Sequence, residues 1–273
     1  MTDTDRTYPS VRALERGLAL LAALNQAGRS DPASLARLAG VDRTTAYRML
    51  HTLAELGYVA RSESDGQFVL TPAVRALSEG LTETDLTARI VCEEIFDLAP
   101  QVMWPTDFST FDEGWMVIRE TTHRFSPYSV HRAMVGRRRP LLETAMGRAV
   151  LAGASEAHRE EMLDIALHRG TVGGDREDLH RRVALLREDF AARGYAWAVG
   201  GADHRISAIA LPVRGPLPGP VAGPTQVLGS INLLFFSTAM SVETAAERFL
   251  DLLAARIRRI EARLSNQTGP DFA

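Results

Sequence analysis

Residues 32–50, PASLARLAGVDRTTAYRML in one-letter code, leave the backbone few options. Asp31 stands before Pro32, so a side-chain acceptor meets an orphan N–H of a helix start, and the proline occupies a position where its missing donor costs nothing. Leu35, Ala36, Leu38 and Ala39 then form one apolar face. Gly40 can take the left-handed conformation that ends this helix, Val41 turns into a core, and Asp42 caps a second helix expected to run to about Leu56. Two short helices joined by so tight a turn fit the helix-turn-helix pattern, in which one helix is presented to a DNA groove.

On the second helix Ala46, Met49, Leu50 and Leu53 recur at helical spacing and are expected to face inward, with Ala46 small enough to pack against Ala36. Arg43, Thr44, Thr45, Tyr47, Arg48 and His51 are left outside. Arginine can bind guanine bidentately, Thr and Tyr hydroxyls reach phosphates or base edges, and the helix N-terminus favours phosphate. Tyr58–Arg61 and Gln67–Leu70 flank Ser62-Glu63-Ser64-Asp65-Gly66 and predict a two-stranded wing, with Arg61 within reach of phosphate. Upstream, Leu14, Leu18, Leu21 and Leu24 predict a first helix whose stripe packs behind the other two. A winged module over residues 1–80 follows.

Composition bounds the rest. At 273 residues, 45% hydrophobic and 24% charged, the chain is long enough for two globular domains with separate cores. The formal charge of −3 excludes a generally basic nucleic-acid coat, and residues 1–80 hold nine arginines against nine acidic residues. DNA affinity must then rest on local arginine placement and on duplication of half-sites by dimerisation. Cys92 is the only cysteine, which excludes an internal disulfide and suits a reducing cytoplasm. No signal-peptide pattern and no apolar run long enough to span a bilayer is expected.

Residues 84–98 carry Leu86, Ile90, Val91, Ile95 and Leu98 near helical spacing, and Pro100 is expected to stop continuation. This connector helix, assigned to residues 81–100, needs a cover for its stripe: a symmetry mate or its own C-terminal domain. From residue 101 to 273 the pattern is mixed. Strands are expected over 103–111, 115–121, 125–134, 206–213 and 227–236; helices over 142–152, 156–167, 178–193 and 242–264. Phe249, Leu253, Ile257, Ile260 and Leu264 line one side of the last helix, and the Pro- and Gly-rich stretch 215–224 is expected to be a mobile loop. The interleaving predicts an α+β chain whose C-terminal sheet is flanked by helices. Enzymatic chemistry finds no support: Cys92 has no nearby histidine, and no nucleophile elbow or phosphate loop occurs. His123 and His131 can share a strand face or neighbouring strands, but no metal-ligand spacing accompanies them. No cofactor is expected.

SVRALERGLALLAALN at 10–25, RTTAYRMLHTLAELGYV at 43–59, FVLTPAVRALSEG at 68–80, then GYAWAV, ISAIALPV and VLGSINLL resemble the IclR family of transcription regulators over nearly the whole chain. Within it, MWPTDFST at 103–110 and RETTHRFSPYSVHRAMVGRR at 119–138 resemble members that activate 3-(3-hydroxyphenyl)propionate degradation. The resemblance implies a winged helix-turn-helix, a linker helix and a GAF-like effector domain, acting on a palindromic operator as a homodimer or dimer of dimers. It also places a small-molecule pocket at Tyr128 and His131, Arg139, Ala145 and Met146, Ala198 and Ala208, and Asn232 with Leu234. Members that bind small oxo acids carry an acid, a thiol and hydroxyls where this chain has Ala198, Ala208, Asn232 and Leu234, so an aromatic ring suits this pocket better.

Elementary chemistry agrees. The helix starting at Thr144 offers backbone N–H groups and its dipole to a carboxylate, and Arg119, Arg138 or Arg139 can add a bidentate partner. His131 and Asn232 can hydrogen-bond a ring hydroxyl while Trp104, Met146 and Leu234 wall the ring. The expectation is a cytoplasmic transcription factor controlled by a small aromatic acid. The alternative is a constitutive DNA-binding repressor whose C-terminal half only oligomerises.

Overall fold

The computed structural model describes residues 10–77, 86–129, 133–201, 203–216 and 225–266. The chain divides into two compact units, residues 1–84 and 85–273.

In the first unit α1 (Arg12–Ala27), α2 (Pro32–Ala39) and α3 (Arg43–Glu55) are followed by the antiparallel hairpin β1 (Val59–Arg61) and β2 (Phe68–Leu70), then by the short α4 (Ala73–Ala76). The capping residues act as their types require. Asp31 accepts from the backbone N–H groups of Ala33 and Ser34, and Asp42 from that of Thr45. Gly40 ends α2 at φ 66°, where a β-carbon would be strained. Leu20, Leu24, Leu35, Ala36, Ala46, Leu50, Val59 and Phe68 form the core. The expected stripe of α1 needs correction. Leu24 is buried and Leu21 partly so, but Leu14 and Leu18 are exposed, because the half of the helix that packs inward turns Leu20, Ala23 and Leu24 to the core.

The second unit opens with α5 (Leu86–Val102), continues through β3 (Thr106–Asp112), β4 (Trp115–Thr121), β5 (Arg138–Arg139), α6 (Ala145–Gly153), α7 (Glu156–His168), α8 (Arg176–Arg193), β6 (Ala196–Val199), β7 (Ile206–Pro216) and β8 (Thr225–Phe236), and closes with α9 (Val242–Asn266). Among the described residues six strands form one antiparallel sheet in the order β5-β4-β3-β8-β7-β6.

Period-two alternation sorts that sheet into two unlike faces. Phe108, Ile209, Val213, Ile231, Leu233 and Phe235 pack with the stripes of α5 (Ile90, Val91, Ile95, Leu98) and α9 (Phe249, Leu253, Ile257, Ile260, Leu264). The stripe of α5 is thus covered by its own unit. Glu94, nearly buried on α5, receives Arg256 at 3.2 Å and Arg263 at 3.4 Å from α9. The alternate positions are small or polar. Ala196, Ala198, Ala208 and Ala210 meet Ala145 and Ala149, so α6 lies close on the sheet, and the Ser230 hydroxyl donates to the Met146 carbonyl at 2.9 Å.

Two expectations yield to local chemistry. Helix α5 continues through Pro100 to Val102 and stops only at Met103, whose φ is 62°. A proline one turn from a helix end removes a single donor, and the Gln101 side chain adds a bond to the Asp97 carbonyl at 2.9 Å. No strand forms over the described part of 125–134. Phe125 and Ser126 instead bond back to the Thr122 carbonyl, and the Ser126 hydroxyl donates to the Met103 carbonyl at 2.6 Å, so Ser-Pro turn chemistry overrides strand propensity. Most of the 215–224 stretch lies outside the described residues.

Gly147 sits where α6 passes Leu141, and a β-carbon there would run into the Leu141 carbonyl. Gly147→Ala is expected to cost the second unit at least about 2 kcal/mol through overpacking against backbone. Urea denaturation followed by circular dichroism checks this, and an unchanged midpoint would mean that α6 does not lie so close.

Candidate functional site

Two sites emerge, one in each unit. In the first, Arg43, Thr44, Tyr47, Arg48 and His51 are exposed on α3, and Thr45 is half-buried with its backbone N–H engaged by Asp42. Among the described residues no hydrogen bond or ion pair engages the Arg43 or Arg48 guanidinium. His51 lies 3.5 Å from Glu55 and 6.4 Å, ring centre to ring centre, from Tyr47. Arg61 projects from the wing, where its Nε–H donates to the Gly66 carbonyl at 3.4 Å, so it braces the turn while remaining exposed. Arg29 pins the same turn through Asp65 at 2.8 Å, which pulls the Asp65 carboxyl down to about 2. The face of α3 therefore has free donors on a helix whose caps and wing are fixed, which is what groove reading needs.

The second site is a cavity of about 220 Å³ inside the C-terminal unit, on the small and polar face of the sheet beside the first turn of α6. Trp104, Tyr128, Arg139, Thr144, Ala145, Met146, Asn232 and Leu234 line it, together with Ala198 and Ala208, so most residues expected there do converge. His131 lies outside the described residues. Arg119 and Arg138 need correction. Arg119 points away and donates to Thr110 Oγ1 at 2.8 Å and Asp112 Oδ2 at 3.2 Å. Arg138 precedes Arg139 on β5, so strand alternation turns it outward, and it is exposed.

The lining is part aromatic and part polar. The Trp104 ring lies tilted against Tyr128 at 4.5 Å between centres and meets Phe236 edge-on at 5.8 Å, and Phe235, whose ring packs into the α5–α9 core, borders this wall. The polar lining includes several groups that sequence reasoning missed: Asp107, His123, Arg137 and Asp203. Asp107 is fully buried, with Oδ1 accepting from the Thr121 hydroxyl at 2.6 Å and 3.6 Å from His123 Nε2. His123 Nδ1 is 2.5 Å from the Ser129 hydroxyl. Asp203 is held by Arg205 at 2.8 Å, and that guanidinium keeps its carboxyl well below the usual range. Burial pushes the Arg139 guanidinium below its ordinary value, Arg137 adds to this, and Asp107 opposes it. A desolvated guanidinium beside a helix N-terminus is a receptor for a carboxylate.

Among the described residues no helix is long and apolar enough to cross a membrane, and no group of three His, Cys, Asp or Glu side chains is placed to hold a metal.

Comparison with known proteins decides the family. The IclR helix-turn-helix domain matches residues 13–63, and the C-terminal domain of the bacterial transcriptional regulator IclR matches residues 94–258. The chain belongs to the IclR family. It is similar to the HTH-type transcriptional regulator KdgR of Dickeya chrysanthemi, at 27% identity over 221 residues covering 78% of this chain and 69% of that one. Among solved structures it resembles IclR of Thermotoga maritima, with a TM-score of 0.63 at 17% identity, covering 93% of this chain and 99% of that one. It also resembles an IclR homologue from Microbacterium hydrocarbonoxydans solved in complex with 4-hydroxybenzoate, with a TM-score of 0.59 at 21% identity, covering 92% and 98%. This IclR-family chain is a DNA-binding transcriptional regulator, and its relatives are regulators, not enzymes.

Since Arg119 engages an outward, half-exposed partner, Arg119→Ala is expected to lower stability by less than about 1 kcal/mol. A loss several times larger in urea denaturation would assign it a structural role that this geometry lacks.

Proposed function

We propose that this regulator responds to a small aromatic carboxylic acid bound in the C-terminal cavity, and that it governs an operon for aromatic catabolism. The observation that carries this reading is the pairing of an aromatic wall, Trp104, Tyr128 and Phe236, with the guanidinium of Arg139 and the N-terminus of α6 in one cavity. Thr144, Ala145 and Met146 present the first-turn N–H groups to the carboxylate, while Met146, Leu234, Ala198 and Ala208 leave room for a flat ring. The IclR homologue solved with 4-hydroxybenzoate supports a ligand of this size. An unfilled cavity favours this reading over a domain that only oligomerises.

On the DNA side, Arg43, Thr44, Thr45, Tyr47, Arg48 and His51 meet the major groove and Arg61 meets flanking phosphate. With so little net charge in the winged unit, two half-sites of a palindromic operator, engaged by a homodimer or dimer of dimers in the cytoplasm, supply the affinity. The ligand acts by binding one arrangement of that oligomer more tightly than another, since only a difference in affinity moves such an equilibrium.

Two outcomes test this. Arg43→Ala or Arg48→Ala is expected to weaken binding to genomic fragments selected by the wild-type protein by about 1–3 kcal/mol, if either reads a base. Unchanged affinity in both variants, measured by fluorescence anisotropy, would remove α3 from the groove. Separately, aromatic acids are expected to raise the melting temperature of the full chain by mass action, and an Arg139→Met variant to lose most of that shift. A panel of aromatic acids that leaves the wild-type melting temperature in place would end the effector reading.

A further inference from the structure

Within the cavity, two acceptors stand side by side without donors. β3 and β8 pair so that Asp107 faces Asn232 across the ladder, which puts both side chains on the same face about 5 Å apart at their β-carbons. Asp107 is 0% exposed and Asn232 1%, and among the described residues Asp107 Oδ2 and Asn232 Oδ1 have no hydrogen-bond partner. Both residues line the cavity. A buried acceptor without a donor is destabilising, and native proteins seldom keep two of them adjacent.

The rest of the polar wall does not explain them. Asp203 is satisfied by Arg205, and Thr121 serves the other oxygen of Asp107. Neither contact reaches Asp107 Oδ2 or Asn232 Oδ1, and a ligand group that donates twice from the cavity would serve both.

We propose that the effector is a carboxylic acid that carries, away from its carboxylate, a group able to donate to Asp107 and Asn232 together. Two adjacent ring hydroxyls meet that requirement, and so does an ammonium. This rests on the reading of the cavity as the site of an aromatic acid and narrows it. Asp107 becomes the residue that selects among such acids, because an ether or an unsubstituted ring leaves its buried oxygen unpaired while an O–H or N–H donor satisfies it. The adjacent aromatic wall fits either group: it stacks on a hydroxylated ring, and Trp104 and Tyr128 attract a cation.

The test is isothermal titration of the full chain with benzoate, 4-methoxybenzoate, 3,4-dihydroxybenzoate and 4-(aminomethyl)benzoate. At least one of the two double donors is expected to bind tenfold or more tighter than benzoate and 4-methoxybenzoate, since leaving a buried acceptor unpaired carries a penalty of that size. Which of the two wins identifies the donor as hydroxyl or ammonium. In Asp107→Asn, and independently in Asn232→Leu, the preference for the double donors over benzoate is expected to fall to about threefold or less. Comparable binding of all four acids by the wild-type protein would overturn the proposal and leave the aromatic-acid reading standing. So would a preference that survives in both variants. Failure of every acid to bind would remove both.

Discussion

The antiparallel pairing of β8 with β3 and β7 sets up everything in the C-terminal unit, because side chains on a strand alternate and the two faces of this sheet have been given opposite tasks. The face bearing Phe108, Ile231 and Leu233 is continuous hydrocarbon and takes the stripes of α5 and α9. The other face cannot be packed in the same way. Its alanines on β6 and β7 let α6 come close, Ser230 ties the first turn of α6 to β8, and beside that turn the sheet stays uncovered. The cavity is the consequence: a helix start, a polar ladder and an aromatic wall meet where large side chains have been left out of the sheet.

The winged unit reaches its purpose under a different constraint. With arginines and acids equal in number over residues 1–80, long-range attraction to DNA is weak, and short-range contacts must do more. This places a premium on fixed geometry. Asp31 and Asp42 cap the two helices of the motif, and Arg29 and Arg61 are spent on the wing turn rather than left loose. Arg43 and Arg48 remain exposed on α3, where a guanidinium engaged by a neighbouring carboxylate would be of little use to a base.

The legibility of this chain follows the range of the interactions involved. Caps, turns and amphipathic stripes are local, so α2, α3, the hairpin, α7, α8 and α9 could be read from residue order, and the pocket positions carried over from the family largely converge. What depended on a facing element could not. The exposure of Leu14 and Leu18 is decided by which half of α1 meets the core, and the outward turn of Arg119 by Thr110 and Asp112 across a hairpin. Asp107 was missed because an acid in a strand reads as solvent-facing, whereas the register opposite Asn232 buries it. A signal was present in the alternation of Thr106 to Phe111, where an acid and a serine share the face opposite Phe108.

That buried acid links stability to response. A buried acceptor of this kind left without a donor costs about 1–3 kcal/mol, a burden that water entering the cavity can relieve until a ligand takes its place. A ligand that supplies the missing donors removes the burden and adds its own binding free energy to folding. Tight binding alone would change nothing at the operator, because regulation requires the ligand to favour one arrangement of the protein over another. The polar ladder offers a source of that difference. Asp107 lies on β3, Asn232 on β8 and Arg139 on β5, so one small molecule held by all three fixes the spacing of strands against whose opposite face α5 is packed. Helix α5 is also the first element of the second unit in chain order, so a change in how the sheet holds it acts on the element that follows residue 85.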